Sequence, residues 1–167
     1  SYVLEDGDIL SIDAGAIIEG WHADAAITIP IGEVDEESAR LMDVTRRCLE
    51  AAIEQVVSGN RLGDVGCAVE KEASSAGLSV VRAYVGHGIG TAMHEDPPVY
   101  NFGQPGTGLR LKTGYVIAIE PMVNLGGHAA ETLEDGWTVV TKDGSRSAHF
   151  EHTVAVTENG PAVLTLP

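Results

Sequence analysis

Two runs rich in β-branched residues, DILSIDAGAII and WHADAAITI, stand on either side of Glu19-Gly20. Runs of this kind joined by two residues specify an antiparallel hairpin, and so short a turn fixes its register. Ile18 then faces Trp21, and Gly15 faces Asp24. Asp13, two residues back on the same face, becomes the diagonal cross-strand neighbour of Asp24, within side-chain reach. Two carboxylates placed so closely repel unless a cation lies between them. The opening hairpin therefore asks for a sheet and for a positive ion.

Three later segments bring residues of matching chemistry. Gly86-His87-Gly88-Ile89-Gly90 surrounds an imidazole with residues that let backbone approach closely. Glu120, in Ala118-Ile119-Glu120-Pro121, ends an apolar strand segment. Buried there, it needs a partner, and the proline that follows ends or bulges the strand, which aims the side chain. Glu151 repeats the pattern between Phe150 and a strand over residues 153–156, with His149, Glu151 and Thr153 on one face. A surface salt bridge is a poor alternative for these acids, since 25 Asp and Glu stand against 10 Lys and Arg. Four carboxylates and one imidazole do not suit a structural zinc, which prefers thiolate and imidazole in a closed site. They suit two divalent ions with bridging carboxylates and positions open to water and substrate.

Around these segments, Asp35 is expected to cap a helix over EESARLMDVTRRCLEAAIEQVV, with Leu41, Val44, Cys48, Ala52 and Val56 as its buried stripe. Asp64 is expected to cap a second helix, ending near Ala76 at Gly77. Beyond Leu78 the chain reads as extended and glycine-rich. In its last third GWTVVT and SAHFEHTVAV flank the turn Lys142-Asp143-Gly144-Ser145, and Asn159-Gly160 makes a final turn. His94, seven residues past His87, can reach the same cavity or lie in solvent. Trp137, after Gly136, suits either the core or the wall of an apolar pocket. Glu36, Glu37, Glu131, Glu134 and Asp135 read as solvated charge, and His22 as a surface imidazole.

A chain of 167 residues, 44% hydrophobic, can bury one core, so residues 1–167 are expected to form one domain. The net charge of −15 argues against nucleic acid or an anionic membrane as a partner. No apolar run is long enough to span a bilayer and no signal peptide is evident. Cys48 and Cys67, both in helical segments, read as reduced thiols of a cytoplasmic protein.

Taken together, the contexts SIDAG, HADAA, GHGIG, IEPMV and FEHTV, in the order Asp, Asp, His, Glu, Glu, resemble the type I methionine aminopeptidases. The resemblance runs over about residues 4 to 157. It implies an α+β pita-bread fold, a curved antiparallel sheet with helices packed on its outer face. It implies two divalent ions (cobalt, manganese, iron or zinc), with Asp13 on one, His87 and Glu120 mainly on the other, and Asp24 and Glu151 bridging. It also implies a water activated by those ions, with Glu120 as proton carrier and His94 as donor to the scissile carbonyl oxygen. Met93 and Trp137 would line the pocket for the methionine side chain, although an aromatic residue is common where Met93 stands. The substrates would be nascent chains with a small second residue.

In that family a first half precedes the ligand hairpin and supplies an active-site histidine and part of the pocket. Nothing before Ser1 matches it, so the fold is expected to be incomplete at its N-terminus and completed by a missing segment or a partner chain. Two rivals stand beside this reading. One is a proline-directed peptidase of the same fold, disfavoured because Glu120-Pro121-Met122 replaces the EPG more usual there. The other is a metal-free pita-bread binding module, disfavoured because every ligand position holds a competent side chain.

Overall fold

The computed structural model describes residues 2–166. The opening hairpin forms as its turn requires: β1 (Ile9–Ile18) and β2 (Trp21–Pro30) pair with Ile18 opposite Trp21 and Gly15 opposite Asp24. Glu19 and Gly20 both take positive φ, 51° and 85°, as a mirror-image hairpin turn demands. Helix α1 (Glu36–Ile53) follows, its first turn closed by the Asp35 carboxylate, which accepts from the Ser38 backbone N–H at 2.7 Å. Leu41, Val44, Cys48, Ala52 and Val56 are all buried. The helix nonetheless ends at Ile53, short of the expected run. Val56 stays in the core because turns at residues 55–56 keep it on the same side. Helix α2 (Leu62–Ser75) begins earlier than expected. Arg61 is its N-cap, and Asp64, at the third helical position, accepts from the Arg61 backbone N–H at 2.7 Å. Gly77, at φ +71°, closes it.

Ten further strands follow among the described residues: β3 (Ser79–Val80), β4 (Gly86–Gly88), β5 (Glu95–Val99), β6 (Val116–Ile119), β7 (Met122–Asn124), β8 (Ala130–Thr132), β9 (Val139–Thr141), β10 (Ser147–His149), β11 (Glu151–Thr157) and β12 (Gly160–Val163). A seven-stranded sheet runs β1-β2-β11-β6-β4-β5, with β12 also on β11. A second sheet runs β10-β7-β3, and β8 and β9 form a separate ribbon. All these pairings are antiparallel. The sequences flanking the turn at residues 142–145 are strands but not each other's partners: β9 pairs with β8, and β10 with β7.

The core lies between the helices and one face of the sheets. Leu41, Val44, Cys48, Val65 and Val69 pack with Ile117, Ile119, Val123, Val154 and Val156. Strand alternation then turns Ala118, Glu120, Glu151 and Thr153 to the opposite face. Cys48 is buried and Cys67 half-buried, both as free thiols on helices, and burial pushes the Cys48 thiol up to about 12. No helix among the described residues is long and apolar enough to cross a membrane.

Candidate metal centre

The site sits where two strands change sheets together. Ile119 of β6 pairs with His152 of β11, and Met122 of β7 pairs with His149 of β10. The two ladders share one register, which places Glu120 and Glu151 opposite each other in the gap between them. Pro121 follows Glu120 and offers no N–H to continue the ladder. Only the Phe150 N–H reaches across, to the Pro121 carbonyl at 3.4 Å. Asn101 secures the break by donating to the Glu120 carbonyl at 3.1 Å. On its other side Glu151 pairs with Ala26, and Ala26 with Asp13. One cross-strand row thus carries Asp13, Ala26, Glu151 and Glu120. The next row carries Asp24, Thr153, Ala118 and His87. Thr153 and Asp24 are tied by reciprocal bonds of 2.9 and 2.8 Å, and Ala118 is registered with His87. Small side chains, Ala26 in the first row and Thr153 and Ala118 in the second, stand between functional ones and leave room above the sheet.

All five sequence-predicted acids and imidazole therefore converge. Ligand atoms of Asp24, His87 and Glu151 lie within 4.8 Å of one another. His87 Nε2 is 3.9 Å from Asp24 and 3.6 Å from Glu120. Its Nδ1 lies 2.9 Å from the Gly88 carbonyl, a contact that holds the proton on Nδ1 and leaves the Nε2 lone pair free. Gly86 and Gly88 are needed here, since a β-carbon on either would strike neighbouring backbone.

The electrostatics are those of anions gathered without a counter-charge. Burial, reinforced by Asp13 and Asp24, pushes Glu120 up to about 8. Glu151, 2% exposed, goes up to about 9, chiefly through burial and then through Glu120, Asp24 and Asp13. Asp24 is raised by burial and by Asp13. Glu151 Oε1 is buried with no hydrogen-bond partner. A carboxylate that is both buried and unpartnered fits a site built for a cation.

His94 places its ring edge-on to His87, with centroids 4.4 Å apart. Met93 lies across Gly15 so closely that any β-carbon there would meet its methyl group. Trp137 does not join them. It is 87% exposed, in the loop between β8 and β9 rather than in a strand or against a pocket wall. His22 is half-buried rather than on the surface, with Nδ1 enclosed and its backbone N–H bonded to the Gly90 carbonyl at 2.8 Å. Glu36, Glu37, Glu131, Glu134 and Asp135 are exposed. A cavity of about 430 Å³ opens beside the acids, lined by Asp13, Tyr84, Glu120, Met122, Val139 and His149. Sequence reading gave no role to Tyr84 or to His149. Only the alternation placing His149 on the face of Glu151 could have pointed to the latter.

A model of metallopeptidase family M24 matches residues 1–158. The methionine aminopeptidase of Clostridium perfringens is 51% identical, over 99% of this chain and 67% of its own length. Methionine aminopeptidase 1 of Bacillus subtilis is 48% identical over 99% and 66%. Among solved structures, the methionine aminopeptidase of Thermotoga maritima superposes with a TM-score of 0.97 at 50% identity, over 99% of this chain and 66% of that one. A dipeptidase from Pyrococcus horikoshii follows at TM-score 0.77 and 27% identity, over 98% and 40%. The chain spans about two thirds of the length of the curated relatives it matches.

Proposed function

The chain belongs to metallopeptidase family M24, and from that premise we propose that it is the larger, ligand-bearing part of a methionine aminopeptidase with the pita-bread fold. The reaction is hydrolysis of the first peptide bond of nascent chains that carry methionine before a small residue. One observation carries the reading: Asp13, Asp24, His87, Glu120 and Glu151 meet on two adjacent rows of one sheet face, in a chain 51% identical to a methionine aminopeptidase. Family membership brings divalent metal with it; two ions, of manganese, iron, cobalt or zinc, and their assignment to these five residues are our proposal.

Asp13, Asp24, His87, Glu120 and Glu151 hold the ions, and the hydrogen bond at His87 Nδ1 points the free Nε2 lone pair at the cluster. When bound, such ions neutralise the gathered carboxylates and make a water acidic enough to supply hydroxide near neutrality. Glu120 accepts the proton of the attacking water and returns it to the leaving amine. His94 donates to the scissile carbonyl oxygen as it becomes negative, a directed stabilisation of the developing charge. Met93, half-buried against Gly15, offers a polarisable surface to an unbranched thioether. Trp137, 87% exposed here, would reach the methionine pocket only through contacts with a further segment. Residues 1–167 act as one catalytic domain, and a further segment or partner chain completes the methionine pocket. Free Cys48 and Cys67 support a reducing compartment, the cytoplasm.

A proline-directed peptidase of the same fold is the second reading, and the weaker likeness to the prolidase of Pyrococcus furiosus, at TM-score 0.76 and 25% identity, disfavours it. The test is metal analysis of the chelator-stripped and reloaded chain. Beside it stand assays on Met-Ala-Ser and on an Xaa-Pro dipeptide, with the 167-residue chain and a form extended to the relatives' length. We expect metal in both forms and methionine release in the extended one. Absence of metal, or cleavage of the proline substrate alone, would overturn the reading.

A further inference from the structure

Two imidazoles, not one, flank Glu120. Its Oε1 lies 3.6 Å from His87 Nε2, and its Oε2 lies 3.9 Å from Nε2 of His149. The same His149 nitrogen is 3.9 Å from Oε2 of Glu151. It is buried and has no hydrogen-bond partner, as is Glu151 Oε1. Distances of 3.9 Å exceed any hydrogen bond. They suit two donors of a shared ion, since ligand atoms each about 2.1 Å from a metal stand up to about 4.2 Å apart.

The backbone holds the ring in this place. The His149 N–H donates to Thr28 Oγ1 at 2.9 Å, and Thr28 Oγ1 donates to the His149 carbonyl at 2.7 Å, so a hydroxyl that is 3% exposed clamps the residue at both ends. Thr28 is braced in turn by Ser11 at 2.8 Å. His149 also lines the cavity beside Asp13 and Glu120. A nitrogen that is buried, unpartnered, fixed from behind and aimed between two carboxylates has the features of a ligand.

We propose that His149 Nε2 is a further protein ligand of the site, binding a divalent cation together with Glu120 and Glu151. The proposal rests on the reading of this cluster as a metal centre and adds a sixth residue to it. It puts imidazole on both sides of Glu120 and shifts the site towards zinc and cobalt over manganese, because imidazole suits those ions while oxygen donors suit manganese.

The experiment uses the 167-residue chain labelled with ¹⁵N in its six histidines, titrated with Zn²⁺ and followed by long-range ¹H–¹⁵N correlation of the ring nitrogens. Two rings, His87 and His149, should move to the coordinated-imidazole position, and His149→Gln should abolish one of those shifts while leaving the other. The variant should also lose Zn²⁺ affinity by about 10- to 100-fold, the range seen even for residues behind the ligands, with a smaller loss for Mn²⁺. One shifted ring in the native chain overturns the proposal without the variant, whatever the affinities show, and leaves the metal-centre reading intact. No bound zinc and no shifted ring overturns that reading and this proposal with it.

Discussion

Replacing Glu151 by glutamine should stabilise the metal-free protein at neutral pH and remove its response to metal. The Glu151 carboxyl is raised from 4.5 to about 9, with burial as the largest cause. At pH 7 the fold therefore retains a proton that the unfolded chain has released. Stability supplied by the protonated form is intact below about 4.5 and is lost as the pH climbs towards 9. From 4.5 to pH 7 is 2.5 units, or about 3 kcal/mol of destabilisation at 1.36 kcal/mol per unit. At pH 5 the same reckoning leaves less than about 1 kcal/mol. Glutamine keeps the shape, carries no titratable proton and can offer its amide N–H to the empty Nε2 of His149. Urea unfolding in the presence of a chelator, at pH 5 and pH 7, measures both differences. The variant should be more stable by about 2–3 kcal/mol at pH 7 and nearly unchanged at pH 5. Zinc should then raise the midpoint of the native protein only. An advantage that does not grow with pH, or a variant weaker than native at pH 7, would refute the reasoning.

Three more outcomes are expected. Metal uptake at pH 7 should release about two protons, from Glu120 and Glu151, because ligating carboxylates must be ionised; calorimetry in buffers of different ionisation enthalpy counts them, and the number should fall as the pH rises through 8 and then 9. His94→Ala, in the form extended to the relatives' length, should lower kcat about 10²–10³-fold with unchanged metal content; loss of metal along with activity would place His94 among the ligands. Leu41→Ala, at a fully buried position of α1, should cost about 2–5 kcal/mol by urea unfolding, with little change in metal affinity because the helix lies behind the sheet.

Features set by neighbours in the chain were legible in advance. Glu19-Gly20 dictated a turn, the turn dictated the register of β1 and β2, and the register brought Asp13 beside Asp24. Asp35 and the stripe from Leu41 to Val56 likewise marked α1. Periodicity of side chains could not show where its backbone stops, since Val56 keeps its buried place beyond the last helical turn. Asp64 misled because a carboxylate three residues past the cap also accepts from a free N–H at the helix start, here that of Arg61, and so leaves the same mark in the sequence as a cap. The ribbon of β8 and β9 was hidden for another reason: the turn that closes it lies at residues 133–138, before the more evident turn at 142–145, and β10 leaves that turn for a distant partner, β7. Five ligand candidates could be named from their contexts, yet the opposition of Glu120 to Glu151 depends on two strands leaving one sheet at the same level. That relation is written in neither segment alone. It also decides where His149 lies.

That shared crossing constrains how such a chain can vary in length. Deleting or inserting one residue between Ile119 and Met122 would turn every later side chain of β7 over and carry Val123 from the core to the other face. The same change between His149 and His152 would do this to Glu151. A lesion in one strand could be relieved only by a matching one in the other, which keeps the two ladders in step. Substitutions can accumulate freely around these eight positions, but gaps must arrive in pairs, so descendants of this sheet should differ in the length of almost any loop before they differ here.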